Sequence, residues 1–131
     1  MVEYKGIERV DAQALSAQRS LTEALWLTLR QQGVKDRTPG RIECFFVAAE
    51  NSAVEGLLIG FPTWDHDVSR IDDTPGAISV KITTPLAHLT REALLELLDV
   101  AMIAAHDSGC VFDGFQIDLS DLPQRSWWKF W

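Results

Sequence analysis

The chain has few of the features that mark secreted, disulfide-stapled or membrane proteins. Its 131 residues include only two cysteines, Cys44 and Cys110, which form no Cys-x-x-Cys pair. Each lies beside bulky apolar residues, a setting that favours buried free thiols over a disulfide. No apolar run approaches the roughly 20 residues that span a bilayer, and the first ten residues contain acids where a secretory signal has an apolar segment. We therefore expect a cytoplasmic domain without membrane association.

Positive charge is also scarce. Twelve Lys and Arg residues against nineteen Asp and Glu residues give a formal net charge of −7. Residues 41–122 alone carry four basic and fourteen acidic side chains, a net of −10. Nucleic-acid-binding proteins need Lys and Arg to neutralise phosphates, so direct binding of RNA or DNA is not expected. A basic segment of another protein would be attracted to such a domain.

Motifs that carry catalysis or bind metals are missing. The sequence contains no His-Glu-x-x-His, Gly-x-Ser-x-Gly, Gly-x-Gly-x-x-Gly or P-loop pattern. His66 stands between Asp65 and Asp67, but adjacent strand residues point to opposite faces, which favours a solvated strand over a metal site. The acidic group Asp65, Asp67, Asp72 and Asp73 lacks the spacing of a calcium loop and predicts a solvated negative rim. We expect no catalytic residue, metal or cofactor, and no enzymatic activity.

The first third of the sequence has the pattern of a helix, a loop and a strand. Apolar residues recur at helical spacing from Asp11 to Gln32, with Asp11 placed as the N-cap. Gly33 is the kind of residue that ends a helix, and residues 34–40, with a Pro-Gly pair, predict a loop. Residues 41–49 are rich in β-branched and aromatic side chains and predict a central strand.

The middle of the sequence predicts a short helix and two strands. An Asn-Ser pair with Glu55 after it resembles a capping box that opens a helix ending near residue 61. Residues 64–71 are more polar and predict an edge or half-exposed strand, followed by a turn over residues 72–76. Residues 77–84 alternate in polarity and predict a strand with one buried face. That face consists of Ile78, Val80 and Ile82.

The last part predicts the strongest helix of the chain and a final strand. Thr90 is placed to cap this helix over residues 91–107, which a Ser-Gly pair then ends. An Asp113-Gly114 turn is expected to lead into a strand over residues 115–119.

The order of elements from residue 41 onward is β-α-β-β-α-β. Two split βαβ units of this kind form the ferredoxin-like α+β arrangement, with both helices on one face of an antiparallel sheet. The sequence therefore predicts a single domain over residues 1–131. It consists of an N-terminal helical extension (1–40), the ferredoxin-like unit (41–119) and an aromatic tail (120–131). RNA-recognition modules share this topology, but the predicted third strand here lacks their base-stacking aromatics.

Two segments resemble the RraB family, the regulators of ribonuclease E activity. The Arg-Ile-Glu-Cys-Phe-Phe run that starts at Arg41 is similar to that family's first strand. The run Phe112-Asp113-Gly114-Phe115 is similar to its Tyr-Asp-Gly-Trp segment after the long helix. The resemblance covers about residues 41–119. It implies a ferredoxin-like fold without enzymatic activity, and inhibition of an RNA-degrading enzyme by protein–protein contact. It also implies an acidic surface that meets a basic region of the partner.

Two other functions are compatible with the same composition. Small acidic α+β proteins also serve as immunity proteins that neutralise a cognate toxin, often a basic nuclease. An enzyme of the same topology would need a pocket with convergent polar groups. The family resemblance has departures, since Phe112 and Phe115 replace the family's Tyr and Trp, which bears on the partner more than on the fold.

The C-terminal segment holds four aromatics in five residues, a density that predicts docking rather than free exposure. It could cover the domain's own sheet or N-terminal helix, or contact a partner or a second copy in a homodimer. The residues predicted to bind a partner are the acidic group and the tail tryptophans: Asp65, Asp67, Asp72, Asp73, Trp127, Trp128 and Trp131.

Overall fold

A computed structural model of the chain describes residues 6–35, 38–70 and 77–119. In these residues the fold is α+β, with three α-helices and a five-stranded antiparallel open sheet. The elements follow one another as α1 (Ala12–Gln31), β1 (Thr38–Ala48), α2 (Asn51–Ile59), β2 (Asp65–Arg70), β3 (Ile78–Thr83), β4 (Ala87–Leu89), α3 (Arg91–Ser108) and β5 (Val111–Asp118). A short 3-10 helix, Ile7–Arg9, precedes α1.

Strand β1 organises the sheet. It pairs with β3 and β5 over the same stretch, so these two strands lie on its opposite edges. Strand β2 pairs with the far edge of β3, and β4 pairs with the first three residues of β1. All four pairings are antiparallel. The order of the four longer strands is therefore β2-β3-β1-β5, and the predicted edge position of β2 is confirmed.

The hydrophobic core lies between the helices and one face of this sheet. Alternate residues of β1 are buried, from Ile42 to Ala48, as strand geometry requires. Phe46 is fully buried at the centre. Its ring centroid lies 6.2 Å from that of Phe61 and 5.5 Å from that of Phe112. The predicted buried face of β3 is confirmed, because Ile78, Val80 and Ile82 are all at most 2% exposed.

Two predicted helix starts are confirmed in atomic detail. The Asp11 carboxylate accepts a hydrogen bond from the backbone amide of Ala14 at 2.8 Å. The Thr90 hydroxyl accepts one from the amide of Ala93 at 3.0 Å. Each bond satisfies an amide that the first helical turn leaves without an intrahelical acceptor.

Helix α1 packs against α3, and two ion pairs join them. Arg19 donates from Nη2 to both carboxylate oxygens of Asp99, at 3.0 and 3.2 Å, and Asp99 is only 1% exposed. Arg91 at the start of α3 pairs with Glu23 on α1 at the surface. Burial in α1 falls on one stripe, consisting of Leu15, Thr22, Trp26 and Leu29. The extra helix thus extends the helical layer.

Three of the predicted local features are wrong. Strand β1 begins at Thr38 inside the predicted loop, because β4 pairs with its first residues. Strand β4 lies between residue 84 and Thr90, where no element is predicted. The predicted capping box of α2 does not form, since the N-cap is Glu50 and no side chain caps the helix.

Candidate protein-binding face

One face of the sheet is turned away from the helices, and we call it the open face. Directly paired residues of an antiparallel ladder point to the same face. Glu43 is paired with Thr83 and Gln116, and Thr83 with Asp65, so these four side chains form one row across the sheet. The open face comprises Arg41, Glu43, Phe45, Val47, Asp65, Asp67, Ser69, Ser79, Lys81, Thr83, Val111, Gln116 and Asp118.

The charge on the open face depends on which carboxylate forms an ion pair with Lys81. Lys81 is directly opposite Asp67, yet its Nζ lies 3.3 Å from Oε2 of Glu43 on the other neighbouring strand. The Glu43 side chain is only 15% exposed, so the ion pair compensates a carboxylate that water reaches poorly. Asp65 and Asp67 are exposed and form no ion pair with another described residue. Among the described side chains, these two carboxylates therefore have no counterion.

Beside this acidic edge lies an apolar centre. Phe45 and Val47 of β1 are half-buried and point away from the core on the open face. Phe45 is paired with Lys81 on one side and with Gly114 on the other. A Cβ built on Gly114 would meet no atom within 4 Å. Lys81 separates Phe45 from Asp67, so the ring lies one strand away from the acids of β2 and has open space on its other side. Such a surface suits a polypeptide that carries both basic and apolar side chains.

The segment that carries the family resemblance is a β-bulge. Asp113 and Gly114 lie inside β5, so the predicted turn before the strand is wrong. The pairing register with β1 shifts between Phe45 and Phe46, which leaves Asp113 as the extra residue. Gly114 has φ of 114°, a conformation that residues with a side chain rarely adopt.

The bulge has a packing consequence. Phe112 and Phe115 are three positions apart, and a regular strand would point them to opposite faces. With the extra residue between them, Phe112 is paired with Phe46 and Phe115 with Cys44, both of which are core positions. The two rings meet edge to face, with centroids 4.9 Å apart. The motif therefore anchors β5 to the core.

The structure brings together some of the predicted site residues and separates others. Arg41, half-buried and paired in register with Asp118, shares the open face with Asp65 and Asp67. Phe112 and Phe115 face the core on the other side of the sheet. Asp72, Asp73, Trp127, Trp128 and Trp131 lie outside the described residues.

Sequence reasoning missed Glu43 and Phe45 as members of the face. Alternation along residues 41–49 separates them from the buried residues Ile42, Cys44 and Phe46. Their neighbours depend on strand register, which the sequence alone does not reveal.

The reactive side chains of the described chain are dispersed. His66, His88 and His106 are all exposed, and His88 lies in β4. In the described ranges no three His, Cys, Asp or Glu side chains group in a way that could hold a metal ion. No helix in the same ranges is long and apolar enough to cross a bilayer.

Both cysteines are buried free thiols, as predicted. Burial raises the pKa of Cys44 to about 12, so at neutral pH this residue is a protonated thiol, which is not the nucleophilic form. Cys110 Sγ lies 3.5 Å from the carbonyl oxygen of Ala53, its hydrogen-bond acceptor. Both thiols therefore serve as packing groups.

Comparison with known proteins assigns no family. No protein-family model matches the chain, and no curated protein matches it significantly.

Proposed function

We propose that this protein is a non-catalytic regulator that binds a ribonuclease through the open face and inhibits it, in the manner of the RraB family. The observation that carries the proposal is the exposed pair Asp65 and Asp67, which form no ion pair with another described residue and share the open face with the half-buried Phe45, one strand away. Such a surface attracts a basic segment and offers it an apolar contact. A cytoplasmic location, and no direct contact with nucleic acid, belong to the same proposal.

Strand order supports the fold that the family resemblance implies. The order β2-β3-β1-β5, with α2 connecting β1 to β2 and α3 preceding β5, is compatible with a ferredoxin-like β-α-β-β-α-β unit and supports this proposal. In this proposal β4 is an addition to the unit, and α1 is an N-terminal extension that widens its helical layer. That layout leaves the opposite side of the sheet for a partner.

The distribution of ion pairs supports an acidic binding surface. Four of the described basic side chains are each paired with an acid, in the pairs Arg9–Asp107, Arg19–Asp99, Lys81–Glu43 and Arg91–Glu23. These pairs neutralise cations that could otherwise offset the carboxylates of β2. The negative charge that remains at the surface is therefore available to a partner.

The test measures RNA cleavage by purified full-length ribonuclease E with and without this protein. We expect inhibition by the wild type and a loss of at least tenfold in inhibitory potency for Asp65→Lys/Asp67→Lys. The matched control is Glu8→Lys/Glu92→Lys, which makes the same change in net charge away from the sheet. It should inhibit like the wild type.

Two results would overturn the proposal. Equal loss in both charge-reversed variants would make net charge, rather than the open face, responsible. Absence of inhibition by the wild type, together with tight binding to a basic toxin nuclease encoded beside the gene, would replace ribonuclease regulation by immunity.

A further inference from the structure

A second apolar surface lies on the helical side of the molecule, between α2 and α3. It is a groove of about 500 Å³, which Asp107 and Ser108 close at one end. Its other lining residues are Gly56, Ile59, Gly60, Val100, Ile103 and Ala104. Ile59 is 78% exposed, more than any other large hydrophobic side chain in the described residues.

Helix α2 turns a large apolar side chain to solvent near its C-terminus. Ala53, Val54 and Leu57 face the core, while the exposed positions are Asn51, Ser52, Glu55, Gly56 and Ile59. The first three of these are polar, as is normal for the outward side of a surface helix. Ile59 is the exception, and with the half-buried Val100 and Ile103 it forms an apolar patch of the kind that a partner covers.

Small residues lie where the two helices approach each other. A Cβ on Gly56 would come 3.4 Å from Ser108, and one on Gly60 would come 3.7 Å from Ala104. The two helices therefore lie close together at these positions. The groove is open to solvent and is lined by residues of both helices, which suits a row of side chains from another helix better than an enclosed small molecule.

The charges around the groove select the partner. Glu55 precedes Ile59 by four residues and Glu96 precedes Val100 by four, so each carboxylate shares a helix face with a lining residue. Neither glutamate forms an ion pair with another described residue, whereas Asp107 is paired with Arg9 at 2.8 Å. A second copy of this chain would bring the same negative charges to the contact. An occupant with Lys or Arg beside its apolar residues would compensate them.

We propose that this groove binds a basic amphipathic helix of a partner protein. Apolar side chains of that helix, spaced three and four residues apart, lie against Ile59, Val100 and Ile103. Its basic side chains face Glu55 and Glu96. The groove is on the opposite side of the molecule from the open face, so this binding does not require the ribonuclease contact proposed above.

The test uses the full chain and a fluorescent 18-residue Leu/Lys peptide designed as an amphipathic helix. Its control is a peptide of the same composition, scrambled so that no apolar face remains. By fluorescence anisotropy at physiological salt we expect micromolar binding of the amphipathic peptide and at least tenfold weaker binding of the scrambled one. Ile59→Gln should weaken binding at least tenfold. Leu27→Gln should not, although Leu27 is also exposed, at 61%, on α1.

The remaining outcomes separate this proposal from its alternatives. Binding that Ile59→Gln leaves unchanged, or that both peptides show equally, would overturn it. Self-association that depends on Ile59 in sedimentation would instead make a second copy the occupant. A gain in affinity after truncation at Gln124 would make the chain's own C-terminal segment the occupant. Asp65→Lys/Asp67→Lys should bind the peptide normally, so failure of the open-face proposal would not be mistaken for failure of this one.

Discussion

Replacing Arg19 by methionine should destabilise the fold strongly, although the arrangement of apolar and polar residues along α1 is that of a helix with Arg19 at its surface. The change removes the cation that faces Asp99 and keeps a side chain of similar length. Asp99 is 1% exposed, whereas the Arg19 side chain is 40% exposed. The variant would therefore leave a carboxylate inside the helical layer without its counterion.

The expected size follows from burial and geometry. Removing one partner of a buried ion pair costs about 3–5 kcal/mol, mostly because the other charge stays buried and unpaired. Two features of the pair point to the lower end. Water reaches the guanidinium side, and both hydrogen bonds come from the single nitrogen Nη2, while the buried Arg19 Nε lacks a partner among the described residues. We expect a loss of about 3 kcal/mol for Arg19→Met.

Urea unfolding followed by far-UV circular dichroism measures the effect. With a slope of about 1.5–2 kcal/mol per molar urea, the midpoint should fall by about 1.5–2 M. The control is Arg91→Met, which breaks the pair with Glu23 between the same two helices. That pair lies at the surface, where ion pairs contribute little and salt screens them, so the midpoint should barely move.

The double replacement Arg19→Met/Asp99→Leu removes both charges of the buried ion pair and so tests whether the unpaired carboxylate causes the loss. Exchanging a buried ion pair for apolar groups of similar size is often close to neutral, so the double variant should recover most of the loss. If Arg19→Met moves the midpoint no further than Arg91→Met does, then the buried Asp99 carboxylate does not depend on Arg19. The account of how α1 is held would then be wrong.

Three further predictions can be checked with similar means. Gly114→Ala should lower the free energy of unfolding by about 1–3 kcal/mol, because φ is 114° at this position. Asp113→Ala changes an exposed residue of the same bulge and should alter the free energy of unfolding by less than about 0.5 kcal/mol. Urea titrations measure both. Burial raises the pKa of Cys44 from 9.0 to about 12 on folding, so the unfolded state loses this thiol proton first as the pH rises. The contribution of Cys44 to stability is therefore fully present below about pH 9 and is lost at about 1.4 kcal/mol per pH unit above it. Thermal melts from pH 8 to 10.5 should show this extra slope in the wild type but not in Cys44→Ala. Finally, low-micromolar binding of single-stranded RNA at physiological salt, measured by anisotropy, is not expected and would contradict the charge argument.

The elements that local chemistry determines could be predicted from the sequence. The caps Asp11 and Thr90, the alternation of β3 and the apolar stripe of α3 each depend on residues close in the chain. Strand β4 and the first residues of β1 could not, because Pro39 and Gly40 favour a loop locally and become a strand only through pairing with residues 87–89. Pairing over such a separation leaves no periodic signal.

The bulge at Asp113-Gly114 could not be predicted for the same reason, because it depends on strand pairing. Asp113-Gly114 suits a turn and a bulge equally well, since both need a residue with positive φ. The choice depends on the partner strand, because only the bulge lets Phe112 and Phe115 both reach the core beside Phe46. In the open face, the exposure of Asp65 and Asp67 was predictable. The preference of Lys81 for Glu43 over Asp67 depends on strand register and was not.

The burial of the motif residues means that the family resemblance bears on the fold and not on the partner. Its most specific piece, Phe112 to Phe115, packs β5 against the core, with Phe112 only 6% exposed. A buried packing motif is retained wherever the fold is retained, whatever the partner. Recognition has to come from exposed residues, and among those that the structure describes the two distinct candidates lie on opposite sides of the molecule. One is acidic around Asp65 and Asp67 and the other is apolar around Ile59. A partner with a basic linear segment would need only the first, and a partner with a basic amphipathic helix only the second. Variants confined to each side therefore distinguish the two modes of binding before the partner itself is identified.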